Sequence, residues 1–206
     1  MTTVSDIYTR VSRELIDPEH RLWTTAALLD YLNDALASII MVRPDLSREI
    51  VATTIEADTL RVALGSTDYK LLSVNHCNDV GLTFIPIEEL NRLAPTWRTE
   101  RDSQPLHWSR NADDELSFFL YPAPDQQVSL EYECSKAIRV QSEEDVFPLP
   151  ELYEGLVFDY MMYRAYSKEG QSETERAKAN THFQSFTLAL TGKSQADKGV
   201  ANAPTQ

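Results

Sequence analysis

Residues 21–45 read RLWTTAALLDYLNDALASIIMVRPD, and this stretch states where a helix starts, which face it buries and where it stops. Trp23 is followed by Thr24 and Thr25, either of which can accept a hydrogen bond from the first unpaired amides of a helix. Leu28, Leu29, Leu32, Leu36, Ile39 and Ile40 recur at steps of three and four residues, while Asp30, Asn33, Asp34 and Ser38 fall mostly elsewhere. One stripe is therefore apolar and the remainder wet. Arg43 suits the negative end of the helix, and Pro44 cannot continue it. A helix with such a stripe needs an apolar surface to cover it.

That surface is sought on either side in sequence. Residues 4–16 read as a first helix with Ser5 as its cap and Ile7, Tyr8, Val11 and Leu15 on one side, closed by Asp17 and Pro18. From residue 49 the period changes from helical to alternating. Residues 50–55, 59–64 and 69–74 carry β-branched and alternating apolar residues around a Gly65-Ser66 turn, 106–109 and 115–121 form a hairpin about residues 111–114, and 127–138 is a long strand. Residues 86–93 are a short helix with proline in its first turn. Helical spacing returns at 151–167 (Leu152, Leu156, Tyr160, Tyr163) and at 172–190 (Arg176, Asn180, Phe183, Phe186, Leu190), with Gly192 as the stop.

Neither terminal helical pair has a complete core alone. The expected fold is thus α+β: a four-helix bundle formed by the N- and C-terminal pairs, with a small antiparallel β-sheet region inserted between them. The implied segments are 1–48 and 147–192 for the bundle, 49–146 for the β-rich insertion and 193–206 for a flexible tail. That tail is small and polar, and either inert or ordered on a partner.

Composition bounds the function. The chain of 206 residues carries 32 acidic against 19 basic residues, a formal charge of −13, which opposes tight binding to nucleic acid because that affinity comes from cations displacing counterions. An acidic surface can still face DNA that must slide past without sticking. No stretch has the run of some 18 to 20 apolar residues that crosses a bilayer, so no membrane anchor is expected, and the polar N-terminus lacks the layout of a secretory signal. The expected location is the cytoplasm or a particle assembled there. Cys77 and Cys134 are too few for a disulfide framework and read as reduced buried thiols.

Chemistry-bearing patterns are sparse. His20, His76, His107 and His182 lie at no zinc-ligand spacing. The His76-Cys77-Asn78-Asp79 cluster, at the end of a strand, could serve a small hydrolase or merely build a turn around a buried thiol. Glycine-rich phosphate loops and the G-x-S-x-G elbow are absent. The acidic runs Asp113-Asp114-Glu115 and Glu143-Glu144-Asp145 lack the apolar setting that raises a carboxyl pKa and read as solvated faces. Phe158, Tyr160, Tyr163 and Tyr166 share one helix with few cations beside them, which favours core or subunit packing over base stacking. No cofactor, metal or catalytic residue is expected.

Several segments taken together resemble one known family. These are Trp23-Thr24, Leu28-Leu29, Leu32-Asn33-Asp34-Ala35, Ile39-Ile40 and Arg43-Pro44-Asp45, then Leu149-Pro150, Tyr153, Asp159-Tyr160, Tyr163-Arg164-Ala165-Tyr166-Ser167-Lys168 and the Arg176-Ala177 to Phe183 helix. The pattern resembles phage head-to-tail adaptors of short-tailed phages, of the tail tubular protein A type. The resemblance implies a virion structural protein without turnover, some dozen copies of which form a ring under the portal and continue the channel through which DNA is ejected. Implied partners are the portal protein, the tail nozzle or tube protein, tail fibres and further copies of the chain, with DNA passing unbound; another tail or head-completion role is the alternative. The tail residues Lys193, Lys198, Gly199, Val200 and Pro204 are then candidates for the portal contact, and Asp113, Asp114, Glu115, Glu143, Glu144 and Asp145 for the channel lining.

Overall fold

The computed structural model describes residues 2–169 and 172–201. Five helices occur among them: α1 (Val4–Glu14), α2 (Thr25–Val42), α3 (Ile87–Leu93), α4 (Glu154–Glu169) and α5 (Glu173–Ala201). The strands are β1 (Arg48–Ile55), β2 (Arg61–Ala63), β3 (Asp68–Cys77), β4 (Val80–Gly81), β5 (Thr83–Phe84), β6 (Arg101–Asp102), β7 (His107–Arg110), β8 (Ser117–Tyr121), β9 (Ala123–Pro124) and β10 (Val128–Lys136). The chain forms two compact units, Met1–Arg43 with Ile138–Gln206, and Pro44–Ala137.

The first unit is built from both ends of the chain around α4. From Leu156 to Tyr166 no α4 side chain is exposed, the signature of a helix covered on every side, and it packs against α1, α2 and α5. Against it lie Leu28, Leu32, Leu36 and Ile39 of α2, all fully buried, together with Val4, Ile7, Tyr8 and Val11 of α1. By length and composition α2 could cross a bilayer, yet here its leucines form part of this core.

Local chemistry sets the helix ends. The cap of α2 is Thr24, whose hydroxyl accepts from the Ala27 amide at 3.3 Å. The cap of α1 is Thr3 and not Ser5: its hydroxyl accepts from the Asp6 amide while the Asp6 carboxylate accepts from the Thr3 amide at 2.8 Å, a reciprocal capping box. That contact holds the Asp6 carboxyl below its ordinary pKa. After α1 the chain turns through Ile16 at φ 56°. There the Asp17 carboxylate accepts from the Arg21, Leu22 and Trp23 amides at 2.9 to 3.0 Å. Helix α5 begins with a second box, Ser172 and Glu175 exchanging bonds, and runs past Gly192 to Ala201. The cost of about 1 kcal/mol for glycine inside a helix is small against 29 residues of helical backbone.

The second unit has its own core. Four strands in the order β1-β10-β3-β4 form one antiparallel sheet, β2-β8-β7-β5 form another closed by a parallel β5–β7 pair, and β6 pairs with β9. Ile55, Leu71, Val74, Cys77, Leu130, Tyr132 and Cys134 from the first sheet meet Val62, Trp108, Phe118 and Leu120 from the second in a single buried cluster. Helix α3 and the turn after it add Leu90 and fully buried Trp97, whose indole donates to the Asn91 side chain at 2.8 Å and meets Phe119 edge-on.

The expected four-helix bundle with a small inserted sheet is therefore corrected. The chain is α+β with five helices and several sheets among the described residues, and its β part is no minor insertion. Pairs as short as β4, β5, β6 and β9 carry too few residues for alternation to register. The buried cluster that binds the two larger sheets runs from Ile55 to Cys134 in sequence, out of reach of local periodicity.

Candidate functional site

Geometry decides what each residue singled out in the sequence can do. The run Asp113-Asp114-Glu115 tops the β7–β8 hairpin in the second unit. Asp114 folds it: its carboxylate accepts from the Leu116 amide at 2.9 Å and pairs with the Arg61 guanidinium. The Leu116 amide, followed by Ser117 and Arg61, holds the Asp114 carboxyl below its ordinary pKa. Asp113 and Glu115 are exposed.

The run Glu143-Glu144-Asp145 belongs to the first unit, so the two acidic runs sit in separate bodies. Here the backbone is functional before the side chains are: the carbonyls of Asp145 and Glu143 accept from Val4 and Ser5, two of the four amides that the start of α1 leaves unpaired. Asp145 closes its own loop by accepting from the Gln141 and Ser142 amides at 2.8 and 3.0 Å, which lowers its carboxyl pKa. The segment is further stitched to α2, since the Asn33 side chain exchanges two bonds with the Val140 backbone. Glu143 and Glu144 remain exposed. In each run one aspartate builds the loop and two carboxylates face water.

The strand end at His76-Cys77 separates the two groups a hydrolase would need side by side. Cys77 is fully buried in the sheet core, where burial pushes its thiol pKa up, the reverse of a reactive cysteine. His76 instead lies 3.3 Å from Glu131 on the other face of the strand. Cys134 is also buried, its thiol pushed up to about 11 by burial and by the neighbouring Asp68 carboxylate. Among the described residues no group of three His, Cys, Asp or Glu side chains is placed to hold a metal.

The aromatic residues of α4 serve the α4–α5 contact. Tyr160 meets Phe186 at 5.1 Å, Tyr163 meets Phe183 at 4.8 Å, and the His182 ring stacks on Tyr166 while its Nδ1 lies 2.8 Å from the Asp159 carboxylate. Arg164 reaches back to Asp34 of α2 and lies over the Tyr31 ring. These polar ties between helices are invisible to sequence patterning, which places Asp34 simply on a wet face. The fold also opens a cleft of about 370 Å³ in the second unit, between Lys70, Phe84, Ile87, Glu88, Arg110 and Glu115. The Arg110 guanidinium is spent there on the Leu71 and Leu72 carbonyls. Residues from β3, β5, α3 and the β7–β8 hairpin meet in it, so no contiguous motif announces it.

Of the C-terminal candidates, Lys193, Lys198, Gly199 and Val200 lie on the α5 backbone, and Pro204 lies outside the described residues. What the described residues offer in both units is helix and sheet packing, loops closed by carboxylates, and exposed acids. Comparison with protein-family models matches residues 2–206 to the family described as SU10 adaptor protein. Comparison with curated proteins gives no match.

Proposed function

The chain belongs to the SU10 adaptor protein family, phage head-to-tail adaptors, and from that premise we propose that it is a structural joint without turnover, assembled in many copies as a ring between portal and tail around the DNA channel. The observation that carries this reading is a family match extending over essentially the whole chain, through both units and α5. The local geometry supports it: Cys77 and Cys134 are buried in the sheet core, and Asp114 and Asp145 close the loops of the scaffold.

The formal charge of −13 fits a surface past which DNA slides. Within the two acidic runs, Asp114 and Asp145 are consumed by their loops, which leaves Asp113, Glu115, Glu143 and Glu144 as the carboxylates facing the lumen. Contact with the portal falls to the last turns of α5 and the residues after them, including Lys193, Lys198, Gly199, Val200 and Pro204. Head-to-tail contacts between identical copies close into a ring under cyclic symmetry.

Electron microscopy of the purified chain mixed with the portal protein tests the proposal. The expected result is a ring of copies on one end of the portal, and a chain truncated after Gly192 is recruited more weakly while keeping its unfolding transition. A chain that leaves the portal bare defeats the adaptor reading for this molecule. Undiminished recruitment of the truncated chain defeats the assignment of the C-terminal residues to that contact.

A further inference from the structure

Natural sheets blunt their open edges with short strands, proline, bulges or charge, because an unpaired row of amides and carbonyls is a template for another strand. Three of the four edges in the larger two sheets follow this rule: β2, β4 and β5 are two or three residues long. The fourth does not. Strand β1 pairs with β10 through eight consecutive residues without a register shift, and no backbone bond among the described residues reaches its other side. It contains no proline, and its six residues from Ile50 to Ile55 are uncharged and mostly β-branched, the composition best suited to pairing. Ile50, Ala52 and Thr54 are exposed, and Ile50 is 57% accessible.

We infer that this edge is covered by the β1 strand of a second copy, running antiparallel about a two-fold axis at Ala52. The register follows from two constraints. Residues directly opposite one another in an antiparallel pair lie on the same face, and in β1 Val51 and Ile55 face the core while Arg48, Ile50, Ala52 and Thr54 face away from it. Only registers pairing odd with odd and even with even positions keep both inner faces on one side. Centring on Ala52 places the smallest side chain of the strand against itself, sets Ile50 opposite Thr54, and brings Arg48 of each copy opposite Glu56 of the other. Both are exposed, and their present partners, Glu133 for Arg48 and Gln127 for Glu56, are surface contacts that can be shared or exchanged. Centring one residue earlier, on Val51, leaves both charges without an opposite.

Charge is what selects a second copy as the occupant. Two chains of −13 repel on approach unless the joining surface is neutral or self-complementary, and this edge is both. A two-fold contact is isologous and uses up its surface in a pair, so it does not generate a ring. It describes the free chain before assembly, independently of whether the portal recruits it.

Sedimentation equilibrium of the full chain, with cysteine cross-linking, tests the inference. The wild type is expected to dimerise at micromolar concentration, and Ala52→Cys to form an interchain disulfide on mild oxidation, since opposed strand residues lie about 4.5 to 5.5 Å apart at Cα. A cysteine at exposed Ser66 serves as the control, and native Cys77 and Cys134 are buried away from the oxidant. Arg48→Glu or Glu56→Arg alone is expected to weaken the dimer roughly tenfold, and the two together in one chain to restore it. A wild type that sediments as a monomer at tens of micromolar overturns the inference. So does a dimer in which Ala52→Cys cross-links no better than the control, or one indifferent to both charge reversals.

Discussion

Truncating Phe186 to alanine should loosen one unit and spare the other, because each has a core of its own. Phe186 is 5% exposed and its ring stands edge-on to Tyr160 at 5.1 Å, so the substitution removes almost a whole buried aromatic side chain from the α4–α5 contact. Buried Phe→Ala changes cost about 3 to 5 kcal/mol, and the aromatic pair adds about 0.5 to 1.5 to what is lost. Phe183 lies exposed one turn earlier on the same helix and can settle toward the gap, which places the expected loss near 3 kcal/mol at the low end of that range. With a urea slope of about 2 kcal/mol per M, the midpoint of the helical unit falls by about 1.5 M. Far-UV circular dichroism follows that unit. In a Trp23→Phe background, emission reports only Trp97 and Trp108, both buried in the sheet unit, and its midpoint should hold. A helical shift below about 0.5 M refutes the packing argument, and an equal shift in the tryptophan signal refutes the independence of the two cores.

Four further outcomes follow from local geometry. Thr3→Ala removes half of the α1 capping box and should cost about 1 kcal/mol, read as a lower midpoint for the same unit; no change would mean that the loop carbonyls of Glu143 and Asp145 suffice. Gly192→Ala should raise helicity and stability by up to about 1 kcal/mol, since the position lies inside α5 and an added Cβ meets nothing within 4 Å; a loss of stability would refute the helical continuation. The Asp6, Asp17, Asp114 and Asp145 carboxyls are held below the ordinary value of 3.8 by amide and hydroxyl donors. Their contribution is complete above the unfolded value and is lost as pH falls through the folded ones, so acid unfolding should begin beneath about pH 4 and be shallower in Asp17→Asn; an equally steep acid limb would refute the role of the Asp17 loop. Cys77 and Cys134 should resist alkylation at neutral pH in the native chain and react together on unfolding; rapid native labelling of either contradicts their burial.

The helices were legible in sequence because each carries its own signal: a threonine cap and Pro44 bracket α2, and its apolar steps predict the face that is buried. The strands longer than three residues were legible for the same reason, through alternation. What escaped was partly local and partly decided by encounters between distant segments. Thr3 rather than Ser5 caps α1 because the Asp6 carboxylate answers it from three residues on, a spacing present in the sequence, whereas Ser5 has Tyr8 there. Leu152, placed on the stripe of α4 by spacing, is 75% exposed because its turn is a 3-10 helix that rotates it out of phase. The acidic runs announced loops correctly, but only geometry separates Asp114 and Asp145, which build those loops, from the carboxylates left to water. The cleft beside Lys70 and Phe84 and the open side of β1 had no sequence signature, since one is a meeting of four elements and the other, among the described residues, is the lack of a neighbour.

Because α4 is surrounded by α1, α2 and α5, the helical unit closes only after residues near the C-terminus have been made. During synthesis the sheet unit, contiguous from Pro44 to Ala137, leaves the ribosome whole while the leucines of α2 still await their partner. The apolar stripe of α2 is thus uncovered for the time taken to translate more than a hundred codons, several seconds at ordinary elongation rates of about 5 to 20 residues per second. A nascent chain in that condition is a natural client for chaperones, and slowing translation downstream of residue 43 should lengthen its dependence on them.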